Sequence, residues 1–230
     1  MFWYIDPVYF WYVFIPTLLI SIGVQIYLKS TVAKWSQVRN GPGLYGIDVV
    51  KQLFARTSLN PIPVEKVPGE MSDHFDPHHN VVRLSDTTAG KNSVAAMAIA
   101  AHELGHVQQY QTGSGLIGLR NFLLPALQFS PTISYIAIFL GLWFNMTNML
   151  WVGIFFFALM VIFSILTLPV EIDASRRALK LLDEAGLLTS DQDRRGAKAV
   201  LTAAGLTYLA AAVTSILQLL YYISIAKRQS

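Results

Sequence analysis

The chain has 230 residues, of which 53% are hydrophobic and only 13% charged, about half the charged share of an ordinary soluble domain. That balance excludes a freely soluble globular enzyme and points to a membrane protein. There is no cysteine, which excludes a disulfide framework and thiolate metal ligands and leaves histidine and carboxylate as the side chains able to hold a metal. The net charge of +3 reflects lysines and arginines placed beside anionic lipid and carries no nucleic-acid footprint.

In chain order, Val8 to Leu28 is free of charge and rich in aromatic residues at its start, and a helix needs about 20 apolar residues to cross a bilayer. This segment predicts a first span, with Pro16 as a kink that neighbouring helices tolerate. It lacks a basic leader and a small-residue cleavage site before Lys29, so it is expected to stay as an anchor over residues 1–39. Gly41-Pro42-Gly43 then opens a polar region, 40–120, that begins with an amphipathic helix from Tyr45 to Arg56. Val64 to Val67 and Val81 to Ser85 are short β-prone segments around a turn-rich stretch, and they predict a β-hairpin. An alanine-rich run from Ser93 follows, with Asn92 or Ser93 as N-cap, and it reads as a helix ending in His102-Glu103-Leu104-Gly105-His106.

Arg120 and Glu171 bracket fifty residues without a charged side chain, too long for one crossing and right for two. Phe122 to Phe144 and Met149 to Leu168 are the expected crossings of a hairpin over 121–168, turning at Asn145 to Asn148. A polar segment, 169–205, leads to a fourth span from Leu206 to Ala226, within a last region 206–230. Segments 29–120 and 169–205 hold fifteen of the seventeen lysines and arginines. Basic residues accumulate on the cytoplasmic side, so both polar segments are expected in the cytoplasm and both termini outside.

His102 and His106 match the H-E-x-x-H zinc signature. Positions four apart share one helix face and can give two imidazoles to one metal, with Glu103 beside them as general base for an attacking water. A catalytic zinc takes three protein ligands, and Glu171, just after Pro169, is the expected third, because a carboxylate at the foot of a membrane helix is costly unless paired or metal-bound. Asp173 is the next candidate, better suited to orienting an imidazole. Arg176 or Arg177 is available to a developing oxyanion. His74 stays open as a substrate or transition-state contact, while His78 and His79 read as a solvated turn.

Four ordered blocks carry a family resemblance across almost the whole chain: Ser72-Asp73-His74-Phe75-Asp76-Pro77, Val82-Arg83-Leu84-Ser85, Ala100 to His106, and Leu168 to Ala178. The chain resembles the YugP-like membrane zinc metallopeptidases, of the gluzincin type with H-E-x-x-H and a later Glu. The resemblance implies one zinc per chain at His102, His106 and Glu171, with Glu103 as base. It departs from related membrane peptidases at Ser175, where they carry an acid, so an orienting role there passes to Asp173 or is lost.

The expected fold is a mainly α membrane protein, with four transmembrane helices and a small α+β cytoplasmic zincin-like catalytic domain containing a short β-hairpin. The expected function is a zinc metalloendopeptidase acting on unfolded or membrane-associated polypeptides at the cytoplasmic face, with protein substrate and lipid bilayer as partners and a membrane-protein regulator or second copy left open. Two alternatives stand beside it. One is a catalytically silent zinc-binding membrane scaffold. The other is a site-2-type intramembrane protease, which the polar flanks Lys91, Asn92, Gln108, Gln109 and Gln111 disfavour by leaving the apolar run too short.

Overall fold

A computed structural model describes residues 6–229; the ends expected outside the membrane include residues 1–5 and 230, which lie outside the described residues. The chain is mainly helical with one small sheet. Helix α1 runs Pro7–Ser36, with a π-helical turn at Phe10–Phe14 just before Pro16. Then come α2 (Gly46–Arg56), β1 (Val64–Val67), β2 (His74–Asp76), β3 (Val81–Ser85), α3 (Asp86–Ala89), α4 (Val94–Gln111), α5 (Gly115–Trp143), α6 (Thr147–Glu184) and α7 (Asp191–Gln229). Two compact units result. One comprises Met1–Gln25, Gly118–Pro169 and Thr207–Ser230; the other comprises Ile26–Ile117 and Val170–Leu206.

Among the described residues, α1, α6 and α7 are long and apolar enough to cross a membrane. A fourth candidate, within α5, is bent by 52° between Ile117–Pro125 and Leu127–Trp143. Pro125 lies at the bend, where a proline removes a backbone donor and crowds the preceding turn. In this apolar unit the small residues set the packing. A Cβ at Gly153 would run into Ile138 and the Ser134 carbonyl, and one at Gly141 would run into Leu150. Ser134 Oγ donates to the Gly153 carbonyl at 3.0 Å. Such small-residue seams let membrane helices approach closely and exchange hydrogen bonds. Trp11, Tyr12, Phe122, Phe129 and Phe155 are exposed on its surface.

The second unit is α+β. The sheet order is β1-β3-β2, and it corrects one sequence expectation. Val64–Val67 and Val81–Ser85 do not form a hairpin with each other: β1 runs parallel to β3, with Val64 opposite Val82 and Val67 opposite Ser85. The antiparallel partner of β3 is β2, with Phe75 opposite Val82. The cause lies in the connecting segment, which reverses twice. Gly69 (φ 102°) and Met71 (φ 55°) turn the chain into β2, and Asn80 (φ 51°) turns it back; two reversals restore the original direction. Asp76 holds the second turn by accepting from the backbone N–H groups of His78 (2.9 Å) and His79 (3.2 Å). His79 Nδ1 and Arg83 also bond this carboxylate, and they hold it well below the usual aspartate range, Arg83 first. His78 and His79 are exposed.

Helix α4 is the centre of this unit. Ser93 is its N-cap, accepting from the Ala96 N–H at 3.2 Å. Twelve of its eighteen residues are buried, so it has neighbours on nearly every side rather than a single apolar stripe. Val49 and Leu53 of α2, Val82 and Leu84 of β3, Leu181 and Leu182 of α6, and Val200 of α7 share its core with Met97, Ala101 and Leu104.

Pro169 does not end a helix. α6 continues through it to Glu184, so the apolar stretch before it and Glu171 after it belong to one helix. The chain then reverses at Gly186 (φ 67°), where the Leu187 N–H reaches back to the Leu182 carbonyl at 2.9 Å, a Schellman closure. Ser190 and Asp193 exchange reciprocal bonds at the start of α7, a capping box. Asp193 also accepts from the Gly41 N–H at 2.9 Å.

Candidate metal centre

All the groups described here lie within the α+β unit. The one-turn spacing of His102 and His106 on α4 brings their rings face to edge, with centroids 4.8 Å apart. Both Nε2 atoms turn to the same atom of α6: Glu171 Oε2 lies 3.2 Å from His102 Nε2 and 3.5 Å from His106 Nε2. One ligand atom from each residue falls within 4.8 Å of the others. The two short separations match the edge of about 3.4 Å expected between ligands of a tetrahedral site with bonds of 2.0–2.1 Å. Two imidazoles and a carboxylate also suit zinc by donor type. Among the described residues, no other group of three or more such side chains converges in this way.

The approach of α6 to α4 depends on a glycine. Gly105 lies between the two histidines, and a Cβ there would collide with the Ala174 carbonyl. The second variable position of the motif thus sets the interhelical contact that lets Glu171, one turn before Ala174, reach the imidazoles.

Each imidazole has an acceptor for its other nitrogen. His102 Nδ1 faces Ser175 Oγ at 3.3 Å, so the serine that departs from the related peptidases still touches the ring. His106 Nδ1 faces Gln109 Oε1 at 3.0 Å. Gln109 is fully buried, and its amide orientation is settled by its other end: Nε2 donates to the Val170 carbonyl and to Asp173 Oδ2, both at 2.8 Å. Only the oxygen is then left for His106. Asp173 in turn accepts from Arg177 Nε at 2.7 Å. Asp173 is therefore linked to an imidazole, through Gln109 rather than directly. In the sequence Gln109 is one of three glutamines, with Gln108 and Gln111, at the end of this helix, and no local signal separates it from the other two.

Glu103 is 6% exposed. Burial raises its carboxyl above the ordinary glutamate range; His102 and His106 oppose the shift, and Asp73 and Glu171 add to it. Asp73, in the first of the four sequence blocks, has a structural role. Its carboxylate accepts from the Ser85 N–H (2.8 Å), Ser85 Oγ (3.0 Å) and Thr88 Oγ1 (3.0 Å). It thereby ties the segment entering β2 to the end of β3 and the start of α3.

The remaining candidates are placed differently. His74 is exposed and its Nδ1 bonds the Ser72 carbonyl at 2.8 Å, outside the converging set. Arg177 is engaged by Asp173 and by Gln108 Oε1, and Arg176 is exposed.

Comparison with known proteins agrees with this centre. The family model described as "putative neutral zinc metallopeptidase" matches residues 10–227. The chain is 34% identical over 211 residues to a Bacillus subtilis (strain 168) protein named "putative membrane protease YugP", covering 92% of this chain and 93% of that one. No solved structure matches it. A chain matched over nearly its whole length, with two imidazoles and a carboxylate gathered at the H-E-x-x-H helix, belongs to the neutral zinc metallopeptidase family that includes the YugP-like membrane proteases.

Proposed function

We propose that the chain is a membrane-bound zinc metalloendopeptidase of the gluzincin type, cleaving unfolded or membrane-associated polypeptides at the cytoplasmic face. The observation that carries this reading is the meeting of His102 Nε2, His106 Nε2 and Glu171 Oε2 beside a buried Glu103. His102, His106 and Glu171 would hold one zinc, which when bound supplies Lewis acidity to water and to a carbonyl oxygen.

The rest is the work of the chain's own side chains. Glu103 accepts a proton from the attacking water at its carboxylate and delivers it to the leaving amine nitrogen, so the proton balance closes on one residue. Burial, which raises its pKa above the ordinary glutamate range, strengthens it as a base. Gln109 and Ser175 keep the imidazole Nδ1 protons engaged, leaving each Nε2 turned inward. The outer edge of β2 carries no strand among the described residues, and an extended substrate could add there through main-chain hydrogen bonds, with loose sequence preference.

The experiment is a comparison of newly formed protein N-termini in cells carrying the intact chain and in cells carrying Glu103→Gln. New termini that require the intact base support the peptidase reading and name its substrates. Identical termini, with both proteins present and zinc-loaded, would support a scaffold instead. In purified form, Glu103→Gln is expected to keep its zinc and lose turnover by a factor of about 10² to 10⁴.

A further inference from the structure

The face of α4 that carries the two histidines ends in a third ring. Tyr110 follows His106 by one turn and Glu103 by two. Seven residues complete two helical turns with a drift of only about 20°, so Tyr110 lies almost in line with Glu103, displaced slightly toward His106. Gly105 and Gln109, which meet α6, occupy the other side of the histidine pair. Tyr110 is 43% exposed, and its ring meets that of Phe75 on β2 edge to face, with centroids 5.5 Å apart. The helix end that carries it is held by Gln111, whose amide donates to the Asn60 carbonyl at 2.8 Å and accepts from the Asn60 N–H at 3.0 Å.

Strand β2 runs beside this face. Asp73, just before it, is close enough to Glu103 to act on its carboxyl, and Phe75, two residues on, meets Tyr110. The strand therefore passes from the level of the base toward the end of the helix. Phe75 sits opposite Val82, which belongs to the core shared with α4, and residues paired across two strands point to the same face of the sheet. A polypeptide added to the edge of β2 that carries no strand among the described residues obeys the same rule. Its residue opposite Phe75 turns its side chain toward α4, where part of the Tyr110 ring is open to it. Tyr110 lies about 6 Å along the helix axis from His106, the length of about two residues of extended chain.

We propose that Tyr110 is a specificity-determining residue, forming with Phe75 an aromatic shelf that selects a large apolar side chain about two residues from the cleaved bond. The proposal rests on the peptidase reading for the identity of the ligand. A large apolar side chain covers the exposed ring and gains contact with it, whereas a small or acidic one gains neither.

The test reads binding and hydrolysis separately. Full-length Glu103→Gln protein, zinc-loaded in neutral detergent, is titrated with fluorescent unstructured peptides that differ only in carrying Phe, Leu, Ala or Asp at one position, with that position walked along the peptide. The Phe and Leu peptides are expected to bind about tenfold tighter than the Ala and Asp peptides at one register. Adding Tyr110→Ala should remove that preference at unchanged zinc content, and Tyr110→Phe, which keeps the ring, should retain it. With Glu103 intact, the same preference should appear in KM more than in kcat. Equal binding of all four peptides by the Glu103→Gln protein would overturn the shelf. So would a Tyr110→Ala protein that loses affinity for every peptide alike, because Tyr110 would then serve packing, or a Tyr110→Phe protein that loses the preference, because the hydroxyl would then be selecting. A Glu103-intact protein that binds with this preference yet cuts none of the peptides would count against the peptidase reading and leave the shelf standing as a binding site.

Discussion

At the residue scale the centre is a short chain of obligations. Two imidazoles and a carboxylate gather at bonding separations for one ion, and each imidazole is held from behind. Removing Glu171 takes away the one carboxylate of the set, so Glu171→Ala is expected to lower zinc occupancy well below one equivalent by metal analysis; a full equivalent would move the third ligand elsewhere. Gln109→Leu keeps the bulk but leaves the His106 Nδ1 proton without its acceptor and removes the donor shared by the Val170 carbonyl and Asp173. Zinc affinity is expected to fall by a factor of about 10 to 100, the usual cost of losing such a support, read by chelator competition. The i, i+4 pair was readable from spacing alone because helix geometry dictates it. Gln109 was not assigned, because its partners lie 61 and 64 positions away in sequence.

At the element scale, α4 is buried on most sides because its residues are small, and the tightest contact is at Gly105. Gly105→Val would force α4 and the Ala174 backbone apart. Overpacking of this kind costs about 1–3 kcal/mol, and here it also widens the gap that Glu171 must close. The expected outcome is a lower unfolding midpoint together with loss of zinc, whereas Gly113→Ala, beyond the helix end in a left-handed turn with open space around it, should cost stability through backbone strain alone and keep zinc. Strand pairing is the element-level lesson. β-propensity and turn residues marked β1 and β3 correctly as strands but not their relation, because the strand His74–Asp76, which lies between the two reversals, is too short to stand out in sequence. Pro169 misleads in the same way: a proline normally marks a helix boundary, but in a long apolar helix with neighbours the missing hydrogen bond is tolerated.

At the scale of the whole molecule, the distribution of lysine and arginine predicts that both polar segments share the cytoplasmic side. The absence of native cysteine makes this simple to test, since any introduced thiol is unique. His79→Cys and Lys180→Cys, at exposed positions, should be protected from an impermeant maleimide in intact cells and become labelled after permeabilisation. Met146→Cys, between α5 and α6, should be labelled without permeabilisation. The reverse pattern would invert the topology.

What the sequence alone determined is whatever depends on short-range periodicity and composition: apolar runs long enough to cross a bilayer, two imidazoles on one helix face, a helix start at Asn92 or Ser93, and a family likeness spread over four blocks. These follow from helix geometry and from the cost of burying charge, both of which act locally. Only the tertiary structure decided what depends on distant segments meeting. It brought Glu171 to the imidazoles across a glycine contact and placed Gln109 between His106 and Asp173. It also made β1 and β3 parallel. Such juxtapositions depend on where the backbone reverses and on how closely two helices approach, quantities set by packing rather than by any window of sequence.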